Sequence, residues 1–244
     1  NEKIMDGLRD MYGEDFNFSY ENFKIDLDLI DSLQRNIVTD SLSNYGRRYT
    51  TQLGSVLEKI TGNLLIDDPN NKSWLKNYAE YPVFNSSDSC FVYYDSKKIQ
   101  DGAYKKEEFY FKVDPYTINN INDFKKEDIS LKGTFVSDSI FPTFRETLSI
   151  NDDNSLGFCH VTPKEGLPVY GKGTFTDSIH LSNEGLIGDG TLNYLTSITK
   201  SEKLVFRPEI MTTQAESFEL KELASHMNNP EVNGEKIFAT WYPY

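Results

Sequence analysis

The side chains that could do chemistry are few and scattered along the chain. Its three histidines, His160, His180 and His226, fall in different predicted elements. None has a second His or Cys two to four residues away, the spacing that holds a transition metal. The adjacent Cys159-His160 pair would point to opposite faces of a strand. Two Ser-x-x-Lys matches, Ser73 to Lys76 and Ser197 to Lys200, lack the Lys-Thr-Gly strand that makes such a serine a nucleophile. Gly-x-Ser-x-Gly, His-Glu-x-x-His, the P-loop and the dinucleotide fingerprint are absent. A glycosidase needs two acids across one cleft at about 5–9 Å. Asp114, Glu146, Asp177 and Glu184, beside aromatic strands, are the first choices for such a pair, but each reads better as an exposed strand or turn charge. No catalytic residue is assigned.

Two binding chemistries remain. Asp152, Asp153 and Asn154, within Asn151 to Ser155, cluster the hard oxygen ligands that calcium prefers. They lack the twelve-residue calcium loop, and turn chemistry alone accounts for the run. Calcium is the single candidate cofactor. The second chemistry is aromatic: among Tyr93, Tyr94, Tyr110, Tyr116, Tyr170, Tyr194 and Trp241, the rings of Tyr94, Tyr110, Tyr170, Tyr194 and Trp241 are taken as a ligand surface on which a glycan could stack. The competing expectation is tyrosines that cap a core with the hydroxyl in water.

Charge narrows the partners. A formal net charge of -13 opposes nucleic acid, which needs a basic stripe, and an anionic membrane surface. No apolar run is long enough for a transmembrane helix. Cys90 and Cys159 are expected as buried free thiols, with a bridge between them as the alternative.

The elements that would position these residues change period along the chain. From Tyr20 to about Ile66, apolar residues recur at helical spacing: Ile30, Leu33, Ile37 and then Leu53, Val56, Leu57, Ile60, Leu64. That predicts a helical hairpin within a helical N-terminal region, 1–81. Beyond Pro82 the period is two, as in Phe109, Phe111 and Val113, which predicts a β-rich domain over 82–220. Lys132-Gly133-Thr134-Phe135 and Lys172-Gly173-Thr174-Phe175 lie forty positions apart and suggest two related β units near 129–150 and 169–197. A short helix from Leu220 to Met227 and a tail complete 221–244. The expected fold is mainly β with an N-terminal helical hairpin (α+β), a β-sandwich or a β-solenoid or taco-like sheet of antiparallel strands. Asn1 in place of Met, and the ending Trp241-Tyr242-Pro243-Tyr244, lead to the expectation of a segment from a longer protein.

Phe141-Pro142-Thr143-Phe144, Tyr170 to Phe175 and above all Leu181 to Ser197, with Trp241-Tyr242-Pro243, resemble the uncharacterised long repeat-containing cell-envelope proteins of Bacteroidetes-type bacteria. The resemblance covers a little under half of the chain and brings no catalytic residues. It implies an exported segment, periplasmic, outer-membrane associated or on the cell surface, whose partners are other segments of the same longer chain, envelope proteins or a glycan. The expected function is non-catalytic: adhesion, scaffolding or ligand display. A carbohydrate-active enzyme or glycan-binding module is the alternative, and a lipid-transfer groove the third choice.

Overall fold

The computed structural model describes residues 2–6, 9–42, 48–52, 57–121, 126–221 and 232–243. Its strands are β1 (Glu2–Asp6), β2 (Arg9–Ser19), β3 (Lys24–Leu42), β4 (Arg48–Gln52), β5 (Leu57–Leu65), β6 (Val83–Ser86), β7 (Cys90–Tyr93), β8 (Phe109–Val113) and β9 (Thr117–Ile118). They continue as β10 (Leu131–Ser137), β11 (Phe144–Ile150), β12 (Leu156–Val161), β13 (Leu167–Val169), β14 (Gly173–Ser182), β15 (Gly185–Tyr194), β16 (Ser197–Phe206), β17 (Met211–Leu220) and β18 (Val232–Trp241). Helix is confined, among the described residues, to two single 3-10 turns, Gln100–Gly102 and Lys126–Asp128. No helix among the described residues is long and apolar enough to cross a membrane. The protein is mainly antiparallel β-sheet, as the period of two requires.

The predicted helical hairpin is not there. The stretch assigned to it holds β3, β4 and β5, with β3 paired antiparallel to β2 and β5. The reason is visible in β5, where Leu57, Ile60 and Leu64 are buried at a spacing of three and four. Lys59, between the first two, takes φ +58°. The pairing with β3 holds one register from Leu33↔Leu57 through Ser32↔Glu58 to Ile30↔Ile60 and shifts only beyond it, between Ile30 and Leu27. Leu57 and Ile60 are both buried although the register between them is unbroken, so the alternation changes phase at the left-handed Lys59 and not by a slip in pairing. Two alternating runs in different phase then read as i, i+3, i+7, the signature of a helix face. The helical N-terminal region is therefore a strand region. The helix expected from Leu220 to Met227 falls mostly on residues outside the described set, and the expected tail contains β18.

The chain divides into two compact units. The first comprises Asn1–Tyr93, Phe111–Thr134 and Thr147–Leu156, with Leu27, Ile60, Leu64, Phe84, Cys90, Val92 and Phe111 among its buried side chains. The second comprises Tyr94–Tyr110, Phe135–Glu146 and Gly157–Tyr244. Its framework is the antiparallel meander β14-β15-β16-β17-β18. Inside it Phe206 lies edge-on to Phe141 at 5.1 Å and to Phe175 at 5.4 Å between ring centroids, and all three rings are buried.

Of the two Lys-Gly-Thr-Phe segments, the first has Lys132 to Thr134 in the first unit and Phe135 in the second, and the other lies wholly in the second unit. A side chain on Gly133 would strike the carbonyl oxygen of Lys112, and one on Gly173 would press on the Tyr194 ring at 2.6 Å and the Asn193 carbonyl at 3.0 Å. Only glycine lets the neighbouring strand approach so closely. Phe135 and Phe175, two residues further on, are both fully buried.

Candidate functional site

Among the concave features of the second unit, a groove and a cavity gather chemistry-bearing side chains. The first follows from register. Directly opposed residues of antiparallel strands share a face. Phe175 opposes Leu192, Leu192 opposes Thr199, and Thr199 opposes Phe218. In the same way Tyr194 opposes Ser197 and Ser197 opposes Leu220. On the last pair of strands, buried Met211 and Ala215 oppose Trp241 and Ile237. The apolar face of the meander therefore runs out from the buried core into β17 and β18, where Phe218, Leu220, Ile237 and Trp241 are only half-buried. There it forms an open groove of about 550 Å³, with Tyr194 and Ser197 also in its wall. Phe218 and Trp241 stand edge-on at 5.5 Å. Phe238, also at the groove, is 85% exposed.

Two of the five ring residues expected to bind ligand, Tyr194 and Trp241, thus line one groove. The other three do not join them. Tyr94 is fully buried, edge-on to Phe109. Tyr110 lies half-buried on β8. Tyr170 is buried and donates its hydroxyl hydrogen to the Arg207 carbonyl at 2.8 Å. Tyr194 itself is 7% exposed and donates to the Pro243 carbonyl at 3.0 Å, so it contributes a ring edge to the groove and spends its hydroxyl on the backbone. Phe218, which sequence reading passed over, is identified by its place in the row that ends the buried face.

The second feature is a cavity of about 590 Å³ bounded by Ala103, Lys105, Asp138, Arg207, Pro208 and Glu209. Lys105 meets Glu108 at 3.4 Å, and that carboxylate raises the lysine's pKa. Asp138 is shifted above the ordinary aspartate range, first by burial and then by the charge of Glu108. Arg207 reaches Thr212 Oγ1 with Nη2 at 3.4 Å, while its Nε is shut off from solvent without a hydrogen-bond partner. Beside the cavity's Ala103 and Arg207, Tyr104 ties the unit together. Its buried hydroxyl donates to the Phe206 carbonyl at 2.7 Å and accepts from the Leu186 N–H at 3.0 Å. Burial pushes that phenol up to about 12.

The remaining chemistry-bearing residues lie apart. Asp153 caps its own turn: its Oδ1 accepts from the Ser155 N–H at 2.9 Å and from the Ser155 hydroxyl at 2.5 Å. Asn154 sits at φ +61°, with its N–H on the Asn151 carbonyl. Asp152 is exposed. Among the described residues no cluster of three metal-ligating side chains occurs. Glu146 bonds His160 Nδ1 at 2.8 Å, with Phe144 stacked on the imidazole at 4.3 Å. Glu184 pairs with Lys203 at 2.7 Å. Both cysteines are free. Cys90 is buried as expected, and burial raises its thiol to about 12 against the opposing pull of Tyr116. Cys159 is exposed, contrary to expectation, because the face of β12 that carries it pairs with His180 on the outer side of β14.

No protein-family model, curated protein or solved structure matches the chain.

Proposed function

We propose that the chain is a non-catalytic ligand-display segment of an exported bacterial envelope protein, and that the groove of β15 to β18 carries the ligand. The observation behind this reading is the continuation of a buried apolar face into an uncovered one, lined by Phe218 and Trp241 and flanked by Ser197, Thr196 and Thr240. Two aromatic rings beside hydroxyl side chains suit a neutral glycan: the rings take the apolar face of a sugar and the hydroxyls its polar rim. Export and envelope location rest on the resemblance of the Leu181 to Ser197 region.

Retardation of the protein in gels cast with neutral polysaccharides tests the reading. Trp241→Ala and Phe218→Ala should each weaken retention by about tenfold, the loss that goes with about 1.4 kcal/mol of contact. Retention unaffected by both substitutions would refute the groove as the ligand site. Leu220 and Ile237 in the same wall favour one second reading, a lipid-holding furrow. Mass spectrometry of lipids co-purified with the protein separates the two.

A further inference from the structure

We propose that the cavity walled by Lys105, Asp138, Arg207 and Glu209 binds a small monocarboxylate that also carries hydrogen-bond donors, a chemistry shared by a uronic acid and an α-amino acid. This inference rests on a different set of residues from the groove and stands without it.

The cavity's charges are unevenly satisfied. Lys105 already has Glu108. Arg207 has no carboxylate partner among the described residues; its contacts are one long hydrogen bond to Thr212 and an enclosed Nε with no acceptor. A guanidinium without a carboxylate partner presents a planar fork of N–H donors that matches one. The ligand therefore brings one carboxylate to Arg207.

The opposite chemistry is supplied by Asp138 and Glu209. These are acceptors when ionised, so they repel a second negative charge and favour hydroxyl or ammonium donors on the rest of the ligand. The wall that holds Asp138 is fixed. Asp138 and Ser139 take φ +50° and +62°, and the Ile140 N–H closes the turn on the Ser137 carbonyl. Ser137 Oγ also accepts from the Phe141 N–H at 2.9 Å and donates to the Phe141 carbonyl at 3.0 Å. The Asp138 N–H donates to the Glu108 carbonyl at 2.8 Å.

The size agrees: about 590 Å³ is on the scale of sites for small molecules. The chain's net charge of -13 does not forbid an anion here, because exposed charges more than about 8 Å away are screened at physiological salt. The groups within the cavity decide.

Titration of the isotope-labelled full chain by amide NMR tests the inference with four probes: D-glucuronate, L-alanine, D-glucose and acetate. The expected result is saturable shifts at Arg207 and Asp138 with glucuronate or alanine, weaker shifts with acetate, and none with glucose. Whichever of the first two saturates identifies the source of the carboxylate. Shifts from glucose equal to those from glucuronate, or no saturation with any carboxylate, would overturn the proposal. This comparison uses the unmodified protein and so survives a variant that fails to fold. Arg207→Gln should weaken binding by at least about tenfold, with Arg207→Lys in between because it keeps charge and loses the fork. Undiminished affinity in a folded Arg207→Gln protein would equally overturn it.

Discussion

The same face of one meander behaves differently at its two ends. Over β14 to β16 the inward residues Phe175, Leu192, Leu204 and Phe206 are fully buried. Over β17 and β18 their continuation, Phe218, Leu220, Ile237 and Trp241, is half open. Pattern and residue type are alike in both regions. What differs is cover: Phe141 lies over Phe175 and Phe206, and Tyr104 bonds the backbone of Leu186 and Phe206. An apolar face stabilises the fold only where something excludes water from it. The uncovered part keeps its rings partly in water.

The largest test of this contrast is truncation on either side of it. Phe206→Ala should cost about 3–5 kcal/mol in denaturant unfolding, as for a fully buried ring that leaves a cavity. Trp241→Ala should cost only about 1 kcal/mol, since much of its ring is already in water. Equal costs would erase the distinction between core and groove.

Next comes the tie that covers the core. Tyr104→Phe removes one donor and one acceptor and orphans the Leu186 N–H and the Phe206 carbonyl, for an expected loss of about 1–3 kcal/mol. No loss would mean that the stacking of Tyr104 on Phe109 at 4.0 Å, and not the hydroxyl, secures the segment.

Thr199 sharpens the comparison from inside. It is fully buried in the row that leads to Phe218, and its hydroxyl has no hydrogen-bond partner. Thr199→Val should therefore stabilise by about 1 kcal/mol, where the same change at a bonded threonine would destabilise. A measured loss would show that the hydroxyl is satisfied in solution.

The smallest effect is expected at the cavity. The Asp138 carboxyl is raised by burial and by Glu108, so the folded state holds its proton more tightly than the unfolded chain does. Stability present below the ordinary aspartate range is lost as pH rises through the raised value. Asp138→Asn, which also tolerates the left-handed backbone, should be more stable than the parent at neutral pH by less than about 1 kcal/mol. That advantage should fade in acid. A gain that does not change with pH would point to the turn and not to the charge.

Much of this fold is legible in the residue pattern. Alternation at Phe109, Phe111 and Val113, at Phe175 with Ile179 and Leu181, and at Leu204 with Phe206 marks strands whose inward residues are buried. Glycine at 133 and 173 signals a close approach of strands. Less of the candidate site can be read this way. Trp241 and Tyr194 stand out by type, but Tyr94 and Tyr170 have the same type and are core, since composition carries no information on which tyrosine is covered.

The amino-acid order alone is enough to set the period, and with it the β class over 82–220. The period is a local property, fixed by the two-residue repeat of an extended backbone. The rest came from contacts made in three dimensions. A single left-handed residue, Lys59, stands where an alternating strand takes on the spacing of a helix, and only the burial of both Leu57 and Ile60 reveals the change of phase. Arg207, Asp138 and Lys105 meet from three distant parts of the chain because the β10–β11 and β16–β17 turns close on one cavity. Burial, pairing register and the convergence of turns depend on groups far apart in sequence, and no local pattern encodes them.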